Sequence, residues 1–273
     1  MLKIIAVIPA RMGSSRYPGK PLVKIAGLPM IEHVRRRTLL CKSLSDVVVA
    51  TCDREILETV KEYGGKAVMT APTHERCTDR VEEAARNLKG DVFVTVQGDE
   101  PLLQPEWIDG VVEPFRKDPD LGCTNLLSEL EGGEDLVNPN IVKAACDAKG
   151  KVLFFARWVQ WSHPDRAHAP VYRQTGIQAF RAETLRLFSR LAPTPFEQIE
   201  SVDMFRLIEH RHPIQGVVID APSYGVDRPE HVAQIEDILK NDPTQAEIFR
   251  VISKVNFDAG TRGRGDAETV KQA

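Results

Sequence analysis

No stretch of the 273-residue chain approaches the ~20 apolar residues of a membrane span, and the apolar run at 4–8 is already strand-sized. The N-terminus lacks the basic region, long apolar segment and small-residue cleavage site of a signal peptide. Cysteine is scarce: Cys41, Cys52, Cys77, Cys123 and Cys146 make an odd count of 5 without a Cys-x-x-Cys pair. That excludes a disulfide framework or zinc ribbon and predicts a reduced, cytoplasmic chain. An excess of either charge is missing too. With 36 Lys+Arg against 39 Asp+Glu, a net charge of −3 and no long basic block, the sequence lacks the footprint of a nucleic-acid binder. Neither common phosphate loop is present. G-x-G-x-x-G is absent, and a Walker A loop needs four residues between its glycines and a hydroxyl after the lysine. Here Gly13 and Gly19 are wider apart, and Pro21 follows Lys20.

What is present is ordinary globular material. At 42% hydrophobic and 27% charged, the chain can build a sizeable core, which excludes disorder or a coiled coil, and its length suits one large domain. Residues 3–9, 46–51, 66–69 and 91–96 read as short apolar strands. They alternate with helices from 29, over 54–63 (Asp53 as cap, Gly64-Gly65 as stop) and over 79–88. This alternation predicts an α/β fold, a doubly wound sheet with helices on both faces. From about residue 120 the pattern changes. Strands are expected at 121–127 and 171–180, a hairpin at 141–146 and 152–156, and helices at 182–191 and 196–210. A strand at 214–219 and a helix at 228–239 follow. Residues 120–215 read as an antiparallel extension of the sheet, serving as acceptor lid or dimer surface. The Gly- and charge-rich end beyond 260 reads as a loose tail. Arg35, Arg36 and Arg37 read as a solvated helix face. His163 and His168 lack a ligand cluster and read as loop residues.

Two segments carry chemistry. PARMGSSRYPGKPL (9–22) follows the first strand, where open α/β sheets bind ligands, and holds Arg11, Arg16 and Lys20. These cations, with backbone N–H groups near Gly13, suit a triphosphate; the competing reading is a solvated surface loop. After the fourth strand, QGDEP (97–101) places Asp99 and Glu100 on the same edge, and Asp227 follows the strand at 214–219. Asp99 and Asp227 together suit Mg²⁺, which takes one or two carboxylates plus substrate phosphates. Asp227, with Pro229 and Glu230 behind it, equally fits a helix cap, and Asp99-Glu100-Pro101 a simple turn.

PARMGSSRYPGKPL, CTDR (77–80), VQGDEPLL (96–103), NPNIVKAACDAKGKVLFFAR (138–157) and GVDRPEHV (225–232) together resemble the 3-deoxy-manno-octulosonate cytidylyltransferase (CMP-Kdo synthetase) family, from about residue 2 to 239. The resemblance implies a nucleotide-diphospho-sugar transferase-like mixed sheet in a single domain over 1–254, with a flexible tail at 255–273. Within it, 1–119 plus 214–240 would bind nucleotide and 120–213 serve acceptor and dimerisation. It further implies CMP transfer from CTP to an acidic sugar, with Mg²⁺, in a homodimer. By motif, Arg11, Arg16 and Lys20 match the catalytic phosphate loop, and Asp99 and Asp227 the metal carboxylates. Ala10, Met12, Gly13, Thr78, Asp79, Arg80 and Gln97 match nucleotide-binding positions. Gln174, Gln178, Glu200 and Asp203 fall in the acceptor half. Departures cluster there: Gln174 and Gln178 stand where the family usually has His and Tyr, and VDMFR (202–206) where it has LEQLR. Arg76-Cys77 replaces Ser-Gly. Two alternatives therefore stay open: CMP transfer to another ulosonic or phosphonate-type acid, and a non-catalytic nucleotide-binding regulator.

Overall fold

The computed structural model describes residues 2–14, 16–130, 133–159 and 171–254. The tail at 255–273, His163 and His168 lie outside the described residues. In chain order the elements are β1 (Ile4–Ala10), a 3₁₀ turn (Lys20–Leu22), β2 (Lys24–Ile25), β3 (Leu28–Pro29), α1 (Met30–Leu39) and β4 (Asp46–Thr51). Next come α2 (Arg54–Glu62), β5 (Ala67–Met69), α3 (Cys77–Ala85), β6 (Val92–Val96), α4 (Pro105–Val112) and α5 (Pro114–Lys117). The extension comprises β7 (Cys123–Ser128), α6 (Gly133–Val137), β8 (Lys143–Cys146), β9 (Val152–Ala156) and β10 (Val171–Arg181). The chain continues through α7 (Ala182–Phe188), α8 (Pro195–Glu200), α9 (Phe205–Glu209), β11 (Gln215–Ile219), α10 (Glu230–Asn241) and α11 (Pro243–Ile252).

The main sheet runs β11-β7-β10-β6-β1-β4-β5, with the β8–β9 hairpin attached to β10. All of β1 is buried, as a continuous apolar run requires of a strand covered on both faces. Its alternating side chains divide two core layers. Ile4, Ala6 and Ile8 pack with Ile31 and Val34 of α1 and Ile108 of α4. Ile5 and Val7 pack with Val81 of α3 and Phe180 and Phe188 on the other face. β4 and β6 flank β1 in parallel and β5 pairs with β4 in parallel, whereas β10 pairs antiparallel with β6 and β7. No helix among the described residues is long and apolar enough to cross a membrane.

The structure corrects several expectations. Strand 214–219, grouped with the nucleotide half, lies on the far edge beside β7 and pairs with it in parallel. The helix expected over 196–210 is two, because Ser201 adopts φ 53° and turns the chain between α8 and α9. Helices α4, α5 and α11 were not anticipated, although each has Pro in its first turn. Asp53 does precede α2, but its carboxylate caps nothing there and accepts the Met12 N–H at 2.8 Å. The largest correction concerns Arg35, Arg36 and Arg37, which are buried rather than solvated, at 1%, 2% and 0% exposure. α11 covers Arg36 and Arg37, while Arg35 donates to the Tyr63 carbonyl at 3.1 Å. Arg36 donates to the Ile252 carbonyl at 2.6 Å, and Arg37 to Gln245 Oε1 at 2.7 Å. Burial pushes the Arg37 guanidinium down to about 9.

Candidate active site

β1 delivers the chain into the cationic loop, which folds back on Met12. The Ser14 and Gly19 N–H groups both donate to the Met12 carbonyl, at 2.9 and 3.1 Å, and Asp53 holds Met12 from below. Gly19 sits at φ +73°, a conformation strained for a residue with Cβ, and turns the chain so that Lys20 points inward. The Lys20 side chain is only 12% exposed, while Arg11 and Arg16 remain exposed.

The acidic corner meets this loop directly. Lys20 Nζ lies 2.7 Å from Asp99 Oδ2 and 3.8 Å from Asp227 Oδ1, and it donates to the Val226 carbonyl at 2.8 Å. Arg16 reaches Asp227 Oδ1 at 2.9 Å. The Val226 N–H donates to the Asp99 carbonyl, which fastens the late segment to the end of β6. Asp227 is not a helix cap. Pro229 occupies the N-cap of α10 without a side-chain cap, and the Asp227 carboxylate faces the cations. Two carboxylates from distant segments therefore flank one ammonium, a geometry that also fits a divalent cation. No group of three or more His, Cys, Asp or Glu suited to metal occurs among the described residues. An ion here would complete its shell with substrate oxygens, the usual habit of Mg²⁺.

Beside this corner a cavity of about 260 Å³ opens between Arg11, Arg16 and Lys20 on one wall and Arg76, Cys77 and Arg80 on the other. Ala10, Gly13 and Gln97 also line it, whereas Met12 does not and packs against the core. Arg80 is 3% exposed and donates through Nη1 to Thr70 Oγ1 at 2.5 Å. Its Nη2 has no partner among the described residues, so a buried donor lacks an acceptor at the wall of a nucleotide-sized space. Thr78 and Asp79, expected at the nucleotide, do not line the cavity. Thr78 donates through Oγ1 and N–H to Asp203 Oδ2, at 2.6 and 3.3 Å, so a distant carboxylate caps α3. Asp79 takes an ion pair from buried Arg206 at 2.9 Å, and Arg206 also grips Glu197 and lies over the Phe188 ring. Burial opposes that charge, yet Glu197 and Asp79 hold the guanidinium above its ordinary range. Burial, then the Asp203 charge, pushes the Cys77 thiol up to about 11.

None of the four expected acceptor residues lines the cavity. Gln174 donates to Asn125 Oδ1 at 2.8 Å, and buried Gln178 donates to the Thr175 carbonyl at 3.2 Å. Glu200 accepts the Arg157 N–H at 2.8 Å, and Asp203 serves Thr78. These contacts support the site from behind. Lys143, which the motif contained without flagging, donates Nζ to the carbonyls of Asn138, Ile141 and Arg157. It thereby ties down the segment whose Asn140 accepts from Arg16 at 3.3 Å.

Glu100 and Gly176 were missed as a pair. The register of β10 against β7 shifts between Gln174 and Gln178, and this bulge turns the Gly176 N–H onto Glu100 Oε1 at 2.5 Å. A Cβ at Gly176 would collide with Gln97 and lie 2.6 Å from Glu100 Oε1, so only glycine fits. Burial, then the Asp99 charge, pushes the Glu100 carboxyl up to about 7. An acid raised in the folded state binds its proton more tightly there than in the unfolded chain. Its contribution to stability is full below the unfolded value of 4.5 and is lost as pH rises through 7. That loss amounts to about 3 kcal/mol. Urea unfolding across this window is expected to show a shallower decline for Glu100→Gln than for the wild type; identical slopes would refute the assignment.

The cytidylyltransferase family model matches residues 5–215. The 3-deoxy-manno-octulosonate cytidylyltransferase of Syntrophus aciditrophicus is 40% identical over 243 residues, 88% of this chain and 98% of that protein. The mitochondrial enzyme of the same description from Arabidopsis thaliana is 36% identical over 243 residues, 87% of this chain and 83% of the plant protein. A solved structure of CMP:2-keto-3-deoxy-manno-octonic acid synthetase complexed with CTP superposes with a TM-score of 0.82 at 34% identity, covering 88% of this chain and 99% of that one.

Proposed function

Because the chain belongs to the cytidylyltransferase family, and within it to the 3-deoxy-manno-octulosonate cytidylyltransferases, we propose that this site joins CMP from CTP to that 2-keto-3-deoxy sugar acid. The chain is a CTP-dependent nucleotidyltransferase. The acceptor hydroxyl attacks the α-phosphorus, the bond to the β-phosphate oxygen breaks, and pyrophosphate leaves with one proton released to solvent. Such a transfer asks a protein for alignment and charge compensation more than for covalent chemistry. The observation carrying this reading is the Lys20 ammonium set between Asp99 and Asp227 at the mouth of a cavity walled by Arg11 and Arg16.

Arg11, Arg16 and Lys20 take the phosphates, and Arg80 offers its unpaired N–H to the base. Asp99 and Asp227 would hold Mg²⁺, which would supply Lewis-acid polarisation of the phosphates and of the attacking hydroxyl. Gln97, oriented by the Cys77 thiol at 3.4 Å, faces the junction of nucleotide and acceptor. The five free cysteines support a cytoplasmic setting. A homodimer is supported by apolar side chains left bare on β9 and α8: Leu153, Phe154, Phe196 and, at 76% exposure, Ile199.

Pyrophosphate release from CTP and Mg²⁺, measured across a panel of sugar and phosphonate acids with light scattering for mass, tests the proposal. Turnover confined to 3-deoxy-manno-octulosonate by a dimer is the expected result. Preference for another acid would transfer the assignment to it. The inward hydrogen bonds of Gln174 and Gln178 argue against that outcome, because the substituted amides serve the sheet rather than the cavity.

A further inference from the structure

The cations assigned to the triphosphate and the carboxylates assigned to the metal are not independent. They neutralise one another: Lys20 bridges Asp99 and Asp227, and Arg16 completes Asp227. We propose that Lys20 and Arg16 act as resident counter-ions whose displacement couples the two ligands, so that a divalent cation binds firmly only together with the nucleotide. The inference rests on the functional reading above and extends it to binding order.

The argument is one of charge and place. A divalent ion arriving alone would have to enter between Asp99 and Asp227 against an ammonium already 2.7 Å from one of them. That ammonium is poorly exposed and also held by the Val226 carbonyl, so it cannot simply swing into water without losing a partner. A triphosphate arriving alone would draw Lys20 and Arg16 away and leave two bare carboxylates facing its own negative charge. Arriving together, the phosphates receive the cations and the ion receives the carboxylates, and every charge has a partner. Such coupling is reciprocal by thermodynamic necessity: whatever factor CTP adds to metal affinity, the metal adds to CTP affinity.

The decisive experiment uses Mn²⁺ alone, followed by electron paramagnetic resonance of the free ion and by calorimetry, with and without CTP and with no acceptor present. Wild-type protein is expected to bind Mn²⁺ weakly alone and at least about tenfold more tightly with CTP. Lys20→Met removes the resident charge while keeping the aliphatic stem. It is expected to bind Mn²⁺ alone about tenfold more tightly than wild type, with the gain erased in Lys20→Met/Asp99→Asn. Arg16→Met alters an exposed side chain that reaches only one of the two carboxylates, and is expected to give a smaller gain of the same sign. Unchanged Mn²⁺ affinity in both single variants, or wild-type affinity indifferent to CTP, overturns the proposal. Absence of turnover with every acid would instead sink the functional reading, which the acceptor-free titration does not measure.

Discussion

Asp99→Asn lowers pyrophosphate release by about 10²–10³, the scale on which removal of one transition-state charge contact is felt. The carboxylate is one side of the only bridge that brings the end of β6, the cationic loop and the 226–227 segment to one point among the described residues. Asn keeps the volume and one acceptor oxygen but not the charge that compensates Lys20. The fold itself loses little. The Lys20–Asp99 pair is partly exposed on the Asp99 side, at 35%, so its stability value stays within about 1 kcal/mol. Steady-state assays beside thermal melts separate the two effects. Near-normal turnover in this variant would count against Asp99 as a metal ligand, and a collapse of the melting transition would make its role structural.

Glu32→Ala produces the largest loss of stability. Glu32 is fully buried and accepts from Arg35 Nε and Nη2, both at 2.7 Å, and from Arg36 Nε at 2.9 Å. Removing the anion leaves two neighbouring buried guanidinium groups without their shared counter-charge. Breaking a buried pair in this way costs about 3–5 kcal/mol, because the remaining charge has already left water. For a chain of this size the melting temperature should fall by about 10 °C. Urea unfolding of wild type and variant measures the difference directly, and a change below about 1 kcal/mol would show that water reaches this cluster. Activity at permissive temperature is expected to survive, since no atom of Glu32 lines the cavity.

The parallel half of the sheet was legible because β1, β4 and β6 are short apolar runs whose only stable home is a covered sheet. The site was legible in outline for a related reason: loops leaving those strands emerge on one edge, so Lys20 and Asp99 had to be neighbours. Arg36 and Arg37 were misread because the helix that covers them starts at Pro243, and Arg35 because it turns onto the Tyr63 carbonyl at the end of α2. No local pattern around residue 35 encodes a cover so distant in sequence. Asp227 was equally ambiguous, since Asp-x-Pro-Glu is a good helix opening, and only Arg16 and Lys20 decide where the carboxylate turns. The supporting roles of Thr78, Asp79, Gln174 and Gln178 were hidden because a polar side chain beside a motif gives no sign of which way it faces. Their partners Asp203, Arg206, Asn125 and Thr175 are fixed by tertiary packing alone.

The last helix has an influence out of proportion to its distance from the chemistry. Gln245 of α11 donates to the Leu102 carbonyl at 3.0 Å while accepting from Arg37, which in turn donates to the Leu103 carbonyl at 3.2 Å. Leu102 and Leu103 are the residues onto which the turn carrying Asp99 descends. α11 thus works as a tie rod behind that turn, gripping its trailing backbone through an amide and a guanidinium. Trimming the chain at the last strand would keep every strand of the sheet and still slacken the turn that bears Asp99.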